Sequence, residues 1–289
     1  MLRIPSLKSP RRKLLLGLLI VTTILVGYET ISGPRLRYWL ARSRDPVATN
    51  VQQRPEGTLR VLFIGNSFTW YFGGQARLGM QLANSAFETQ LNDAEQKQFK
   101  PAVFDQITGD GWELDYHIEN GRTVNRIAEK HWDYVVLQDH SQETLLYPER
   151  FRAAVIALDR EVKKNGAKTV LFMTWARSFE PQNQAQITRA YQNVGKEIGA
   201  PVVPVGLAFE KVQRTTLIRV IDQTDGRHAT AAGSYLIACC FYSFFYHRSA
   251  EGLSASLVAD GNKLITLDEA TAHTLAKIAW ETTKEILEP

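Results

Sequence analysis

Five short apolar runs, separated by segments of helical character, restrict this chain more than any other feature of its sequence. The runs cover residues 59–64, 102–107, 134–138, 168–174 and 201–205, and between them residues 75–87, 149–165 and 184–198 carry helix-forming patterns. In the first, third and fourth runs the apolar residues are consecutive, as in strands covered on both faces. Strand and helix in alternation, with strands of that kind, give an open parallel sheet. The expected fold is α/β: a three-layer α/β/α domain with a five-stranded parallel sheet. Two helices should close it, one at about 229–246 with Gly233 marking close packing. The other should run from a Thr266-x-x-Glu269 capping box. Residues 59–289 suffice for one core of ordinary domain size.

In such sheets ligands meet the loops beyond the carboxyl ends of the strands. The first strand leads into Gly65-Asn66-Ser67-Phe68-Thr69, a serine at a strand-to-helix turn. Serine there is also a common helix cap, and as a nucleophile it needs a base to take its proton and a group to orient that base. Of the six histidines (117, 131, 140, 228, 247 and 273), only His228 stands in a compact acid–base arrangement, Asp225-Gly226-Arg227-His228. A carboxylate three residues away in a loop can reach one ring nitrogen and leave the other facing a serine. The alternative is a turn whose histidine caps the next helix. His117 and His131 read as structural or surface residues, since no carboxylate/histidine constellation makes a metal site.

The blocks Phe63-Ile64-Gly65-Asn66-Ser67-Phe68-Thr69 and Asp225-Gly226-Arg227-His228, with Gly233-Ser234-Tyr235-Leu236 after the second, resemble the SGNH (GDSL-like) serine hydrolases in their Gly-Asn-Ser branch. The likeness covers most of residues 59–248. It implies a flavodoxin-like sheet, Ser67 as nucleophile, His228 as general base and then acid, and Asp225 as the residue that orients it. It also implies an oxyanion hole built from the backbone N–H groups of Ser67 and Gly111. The third donor in that family is an Asn in a Gly-x-Asn-Asp block, whereas this chain has Gln138-Asp139-His140-Ser141. Gln138 and His140 are both candidates. Trp70, Trp112 and Trp175 fall near strand ends and could stack on a sugar or line an acyl pocket, with core packing as the competing reading.

The N-terminal region carries a different signal. Arg3, Lys8, Arg11, Arg12 and Lys13 precede a run rich in Leu, Ile and Val, and no small-residue cleavage site follows. Residues 1–13 read as a basic cytoplasmic tail, 14–32 as an uncleaved single-pass transmembrane signal anchor, 33–58 as a linker and 59–289 as the hydrolase-like domain. The domain is then expected outside the cytoplasm, in a bacterial inner membrane and periplasm setting. Ten Lys/Arg against three Asp/Glu in residues 1–58 account for the basic balance, while residues 59–289 hold 24 against 27. A mildly acidic body without a basic, aromatic-interleaved patch disfavours nucleic acid as a partner. Adjacent Cys239 and Cys240 offer no disulfide framework.

These readings converge on an esterase or deacylase acting through an acyl-enzyme, without cofactor, on a small-molecule or carbohydrate ester such as an O-acetyl group. Two rivals are an envelope polysaccharide O-acyltransferase on the same fold and a non-catalytic envelope binding protein.

Overall fold

The computed structural model describes residues 47–48, 58–89, 91, 102–129, 132–259 and 262–287. The expected anchor at 14–32 and His131 lie outside them. Among the described residues no helix is long and apolar enough to cross a membrane.

The five apolar runs form β2 (Leu59–Gly65), β3 (Ala102–Thr108), β4 (Tyr134–Leu137), β5 (Lys168–Phe172) and β6 (Val202–Val203), all parallel to one another. A sixth strand, β1 (Val47–Ala48), pairs antiparallel with the edge of β3, giving the order β1-β3-β2-β4-β5-β6. That short strand falls within the expected linker 33–58, so part of that segment joins the sheet.

Because side chains alternate across a strand, each central strand feeds two cores. Val61 and Phe63 of β2, Val136 of β4, and Val170 and Phe172 of β5 face one side. There they meet α2 (Gln75–Thr89), α8 (Val205–Thr215), α9 (Ala231–Tyr246) and α10 (Glu269–Leu287). Leu62, Ile64, Val135, Leu137 and Leu171 face the other, against α3 (Leu114–Glu119), α4 (Arg122–Glu129), α6 (Pro148–Lys164) and α7 (Gln184–Ile198). Two further short helices, α1 (Ser67–Trp70) and α5 (Glu143–Leu146), sit in the loops after β2 and β4. The architecture is the expected three-layer α/β/α sandwich.

Local chemistry explains the helix ends. Pro148 opens α6, where its missing N–H costs nothing, and Lys163 and Lys164 sit at its carbonyl end. α9 starts after Thr230, whose hydroxyl accepts from the Gly233 N–H. A Cβ on Gly233 would stand 2.1 Å from the Val220 carbonyl oxygen, which is the close packing expected there.

The capping box is a correction. Thr266 ends β8 (Asn262–Thr266), which pairs antiparallel with β7 (Ser256–Ala259), and Asp268 caps α10 by accepting from the Thr271 N–H. The hairpin escaped the sequence reading because its strands are brief and half-polar. Cys239 and Cys240 are buried and unbridged.

Candidate active site

Strand register brings the functional loops together. Gly65 pairs with Thr108, Ile64 with Leu137, and Leu137 with Leu171, so β3, β2, β4 and β5 end side by side. Neighbouring strands are about 4.8 Å apart, which puts the loops after each within side-chain reach of the next.

At the end of β2, Asn66 rather than Ser67 is the helix cap: its side chain accepts from the Phe68 N–H at 3.1 Å. Ser67 is thereby the first residue of α1, partly exposed while Asn66, Phe68 and Thr69 are buried. Its hydroxyl lies 2.8 Å from His228 Nε2. On the other side of the ring, His228 Nδ1 lies 2.5 Å from Asp225 Oδ2. The carboxylate fixes the tautomer: Nδ1–H donates to Asp225, leaving Nε2 to accept from the serine. The other oxygen of Asp225 accepts from the Arg227 and His228 N–H groups at 2.9 and 3.1 Å. Burial raises the Asp225 pKa, but these hydrogen bonds and the His228 ring outweigh it and hold the carboxyl below its ordinary value. The three residues named from the sequence therefore form one continuous hydrogen-bonded chain.

The loop that carries the pair is closed on itself. Asp222 N–H donates to the His228 carbonyl at 2.8 Å, Gly226 N–H to the Asp222 carbonyl at 2.8 Å, and Ile221 bridges Ala229. Gly226, at φ 68°, makes the turn that returns the chain toward His228.

Gln138 is placed beside the Ser67 turn, with its amide fully engaged by protein groups. Its Oε1 accepts from the Asn66 N–H at 3.0 Å and the Thr69 hydroxyl at 2.8 Å, and its Nε2 donates to Asn66 Oδ1 at 3.0 Å and the Asp139 carbonyl at 2.7 Å. Two donors and two acceptors exhaust a primary amide. The backbone N–H of Asn66 can only donate, so the amide cannot be turned round. Gly65 makes room for it, since a Cβ there would stand 2.3 Å from Gln138 Oε1. Gln138 thus holds the loop that presents Ser67, which corrects its assignment as an oxyanion donor.

His140 is the other residue expected as a donor. It is buried, and its Nδ1 accepts from the Gln142 N–H at 3.3 Å, which puts the ring proton on Nε2. Burial first, then the charges of Arg177 and Arg227 and the His228 ring, push its pKa down to about 3. His140 is therefore a neutral N–H donor at any ordinary pH. Gly111, at φ 66°, sits in the loop after β3. That loop is tied to the nucleophile turn by the Asn66 side-chain N–H, which donates to the Trp112 carbonyl at 3.0 Å.

The tryptophans divide. Trp112 and Trp175 are 2% and 1% exposed, so neither offers a ring face to a ligand. Trp175 stacks between Phe68 and Phe209, at 4.7 and 4.2 Å between centroids, and Trp112 packs edge-on against His117. Both are corrected from substrate contacts to packing. Trp70 is half-buried, with its indole N–H donating to Asp110 Oδ1 at 2.9 Å.

The sequence reading missed Tyr71, whose ring lies stacked on His228. An aromatic between two others in Trp70-Tyr71-Phe72 gave no sign of that contact. His117, expected to be structural, is buried, with Nε2 2.9 Å from the Gly65 carbonyl oxygen and Nδ1 2.7 Å from the Thr123 hydroxyl. Among the described residues no group of His, Cys, Asp and Glu could hold a metal ion.

No protein-family model matches the chain, and no curated protein was found similar to it in sequence. Among solved structures, a DUF4886 family protein from Bacteroides uniformis superposes with a TM-score of 0.59 at 19% identity, covering 80% of this chain and 96% of that one. The two share a fold. A putative SGNH hydrolase from Slackia heliotrinireducens matches with a TM-score of 0.49 at 21% identity over 63% of this chain and 95% of that one. The acetylxylan esterase Axe2 from Geobacillus stearothermophilus matches with 0.49 at 15% identity, over 64% and 93%.

Proposed function

We propose that this protein is a serine ester hydrolase. The observation that carries the reading is the chain Ser67 Oγ, His228 Nε2, His228 Nδ1, Asp225 Oδ2, with links of 2.8 and 2.5 Å. Ser67 attacks an ester carbonyl as its proton passes to His228 Nε2. The imidazolium, held by Asp225, returns that proton to the departing alcohol, and an acyl-enzyme forms. His228 then takes a proton from water as that water attacks the acyl carbon, and returns the proton to the departing Ser67 Oγ, releasing the acid and regenerating the serine hydroxyl and the neutral base. Charge on the carbonyl oxygen is met by the N–H groups of Ser67 and Gly111 and by His140 Nε2–H, donors set in place before the reaction. No step calls for a cofactor.

As substrate we assign an O-acyl ester of a small molecule or carbohydrate, an O-acetyl group being the simplest. Reading residues 14–32 as a signal anchor, we place the reaction at the outer face of a bacterial inner membrane. Trp70, half-buried at the rim, is the aromatic left for a sugar face.

A fluorophosphonate probe tests the chemistry, because it phosphonylates only an activated serine. Wild-type protein should label, whereas Ser67→Ala should not and His228→Ala should lose at least about a hundredfold in rate, a loss of the size expected when a general base is removed. Labelling of Ser67→Ala at the wild-type rate would refute the assignment. Absence of labelling in the folded wild type would favour the binding-protein alternative.

A further inference from the structure

We propose that Arg177 and Arg227 form an anion-recognition subsite beside Ser67, so that the ester taken here carries a carboxylate or phosphate near its scissile bond. This deepens the ester-hydrolase reading and rests on it.

The two arginines come from loops that are laid together. After β5 the chain runs Trp175-Ala176-Arg177-Ser178-Phe179 alongside Asp225-Gly226-Arg227-His228. Trp175 Nε1–H donates to the Arg227 carbonyl at 2.7 Å and the Ser178 N–H to the Gly226 carbonyl at 2.9 Å. Phe179 lies so close to the turn that a Cβ on Gly226 would meet its ring at 2.9 Å. Arg227 is thus adjacent in sequence to the base, and Arg177 is held on the neighbouring loop.

Among the described residues Arg177 has no ion-pair partner, and Arg227 has only a long one that it shares with His228. The Arg177 guanidinium carbon lies 5.8 Å from the centre of the exposed Phe179 ring. Arg227 Nε stands 3.8 Å from Asp225 Oδ2, beyond hydrogen-bond distance, while that oxygen holds His228. The Nε of each arginine is buried without a hydrogen-bond partner. Neither Nε is compensated from within, and both side chains are half-exposed, which leaves the outer N–H groups of each guanidinium to meet an anion from solvent. Their charge reaches the reacting centre, since both guanidinium groups help depress His140, and Arg227 also acts on Tyr71.

Nearby carboxylates do not fill the role. Asp222 Oδ1 accepts from the Thr224 N–H and hydroxyl, Asp110 Oδ1 from the Trp70 indole, and Asp225 from His228. Guanidinium is a planar fork of N–H donors that fits the paired oxygens of a carboxylate or phosphate.

The anion can belong to the acyl group or to the alcohol, and paired substrates differing by one charge separate the two. On the alcohol side the pair is 4-acetoxybenzoate and its methyl ester; on the acyl side it is mono-4-nitrophenyl succinate and its methyl ester. Wild-type protein should favour the anionic member of one pair by about tenfold or more in kcat/KM, with the preference shrinking as salt is added. Arg177→Gln should bring that ratio close to one, and Arg177→Lys should keep part of it. Equal rates within both pairs, or an undiminished ratio in Arg177→Gln, would overturn the proposal. Failure to hydrolyse any of the four esters would count against the hydrolase reading, and the subsite is then decided by binding. Inorganic phosphate and succinate should raise the Tm of the Ser67→Ala protein but not of Ser67→Ala/Arg177→Gln; equal response of the two proteins, or none, would end it.

Discussion

The ring of Tyr71 lies flat against the imidazole of His228, with centroids 4.3 Å apart and planes 1° from parallel. Phe68 meets the same imidazole edge-on at 5.6 Å, so the base is confined on two sides while Asp225 holds its plane. A π face beside the imidazolium that forms during proton transfer stabilises it by about 1 kcal/mol. Tyr71→Ala should therefore lower kcat about fivefold with little change in KM, and Tyr71→Phe should retain most of the activity. A Phe variant as impaired as Ala would show that the hydroxyl, not the stacked face, matters.

His140 and Gln138 should behave differently when removed. His140→Ala takes away a preset donor and leaves the Gln142 N–H unpaired, so Tm should fall modestly while kcat of the folded protein falls about a hundredfold. An undiminished kcat would remove His140 from the oxyanion site.

Gln138→Ala leaves the Asn66 N–H and the Thr69 hydroxyl without their buried acceptor. The expected cost is about 1–3 kcal/mol in stability, read by chemical denaturation, together with slower fluorophosphonate labelling as the Ser67 turn loosens. Slow labelling at wild-type stability would instead mark Gln138 as a donor to the reacting group.

Acid should expose the buried histidines. Burial lowers the His117 pKa from 6.5 to about 4, so between those values the unfolded chain binds a proton that the folded chain refuses. Stability from this residue is complete above pH 6.5 and declines as the pH falls, by about 1.4 kcal/mol per unit. His140 acts in the same sense. Glu143, raised by burial to about 7, acts in the opposite one, because the folded chain there holds a proton that the unfolded chain gives up. Comparison of wild type with His117→Gln isolates the first effect: the stability difference between them should shift by about 2 kcal/mol against the wild type from pH 7 to pH 5. Parallel curves would contradict it.

The sheet, the helices and the Ser67, Asp225, His228 chain were legible because each is written locally. Consecutive apolar residues mark a strand buried on both faces, and an acid three residues before a histidine reports its own proximity. The departures lie where meaning comes from a partner far along the chain. Gln138 was read as a possible donor because its residue type permits that, yet its amide is consumed by Asn66 and Thr69, some 70 residues earlier. Trp112 and Trp175 stand at strand ends in the sequence but turn inward in space, and burial is a property of what surrounds a ring. The stacking of Tyr71 on His228 joins segments far apart in the sequence, and no periodicity announces it. Thr266 was read as a cap because the spacing to Glu269 suited one, but the β7–β8 hairpin claimed that threonine first.

The closed loop from Val220 to Thr230 has a consequence for how the site comes into being. Its backbone bonds are local, so acid and base arrive already oriented to one another as a cassette. The serine turn, far earlier in the sequence, is likewise locked by its own neighbours. What remains is a single rendezvous between two finished pieces, 161 residues apart. It is completed only when α9, which follows the cassette directly, beds down against α2 and the central strands. Reactivity of Ser67 is thus a proofreading signal for the last third of the chain: a molecule in which that part has not docked keeps an ordinary, inert hydroxyl.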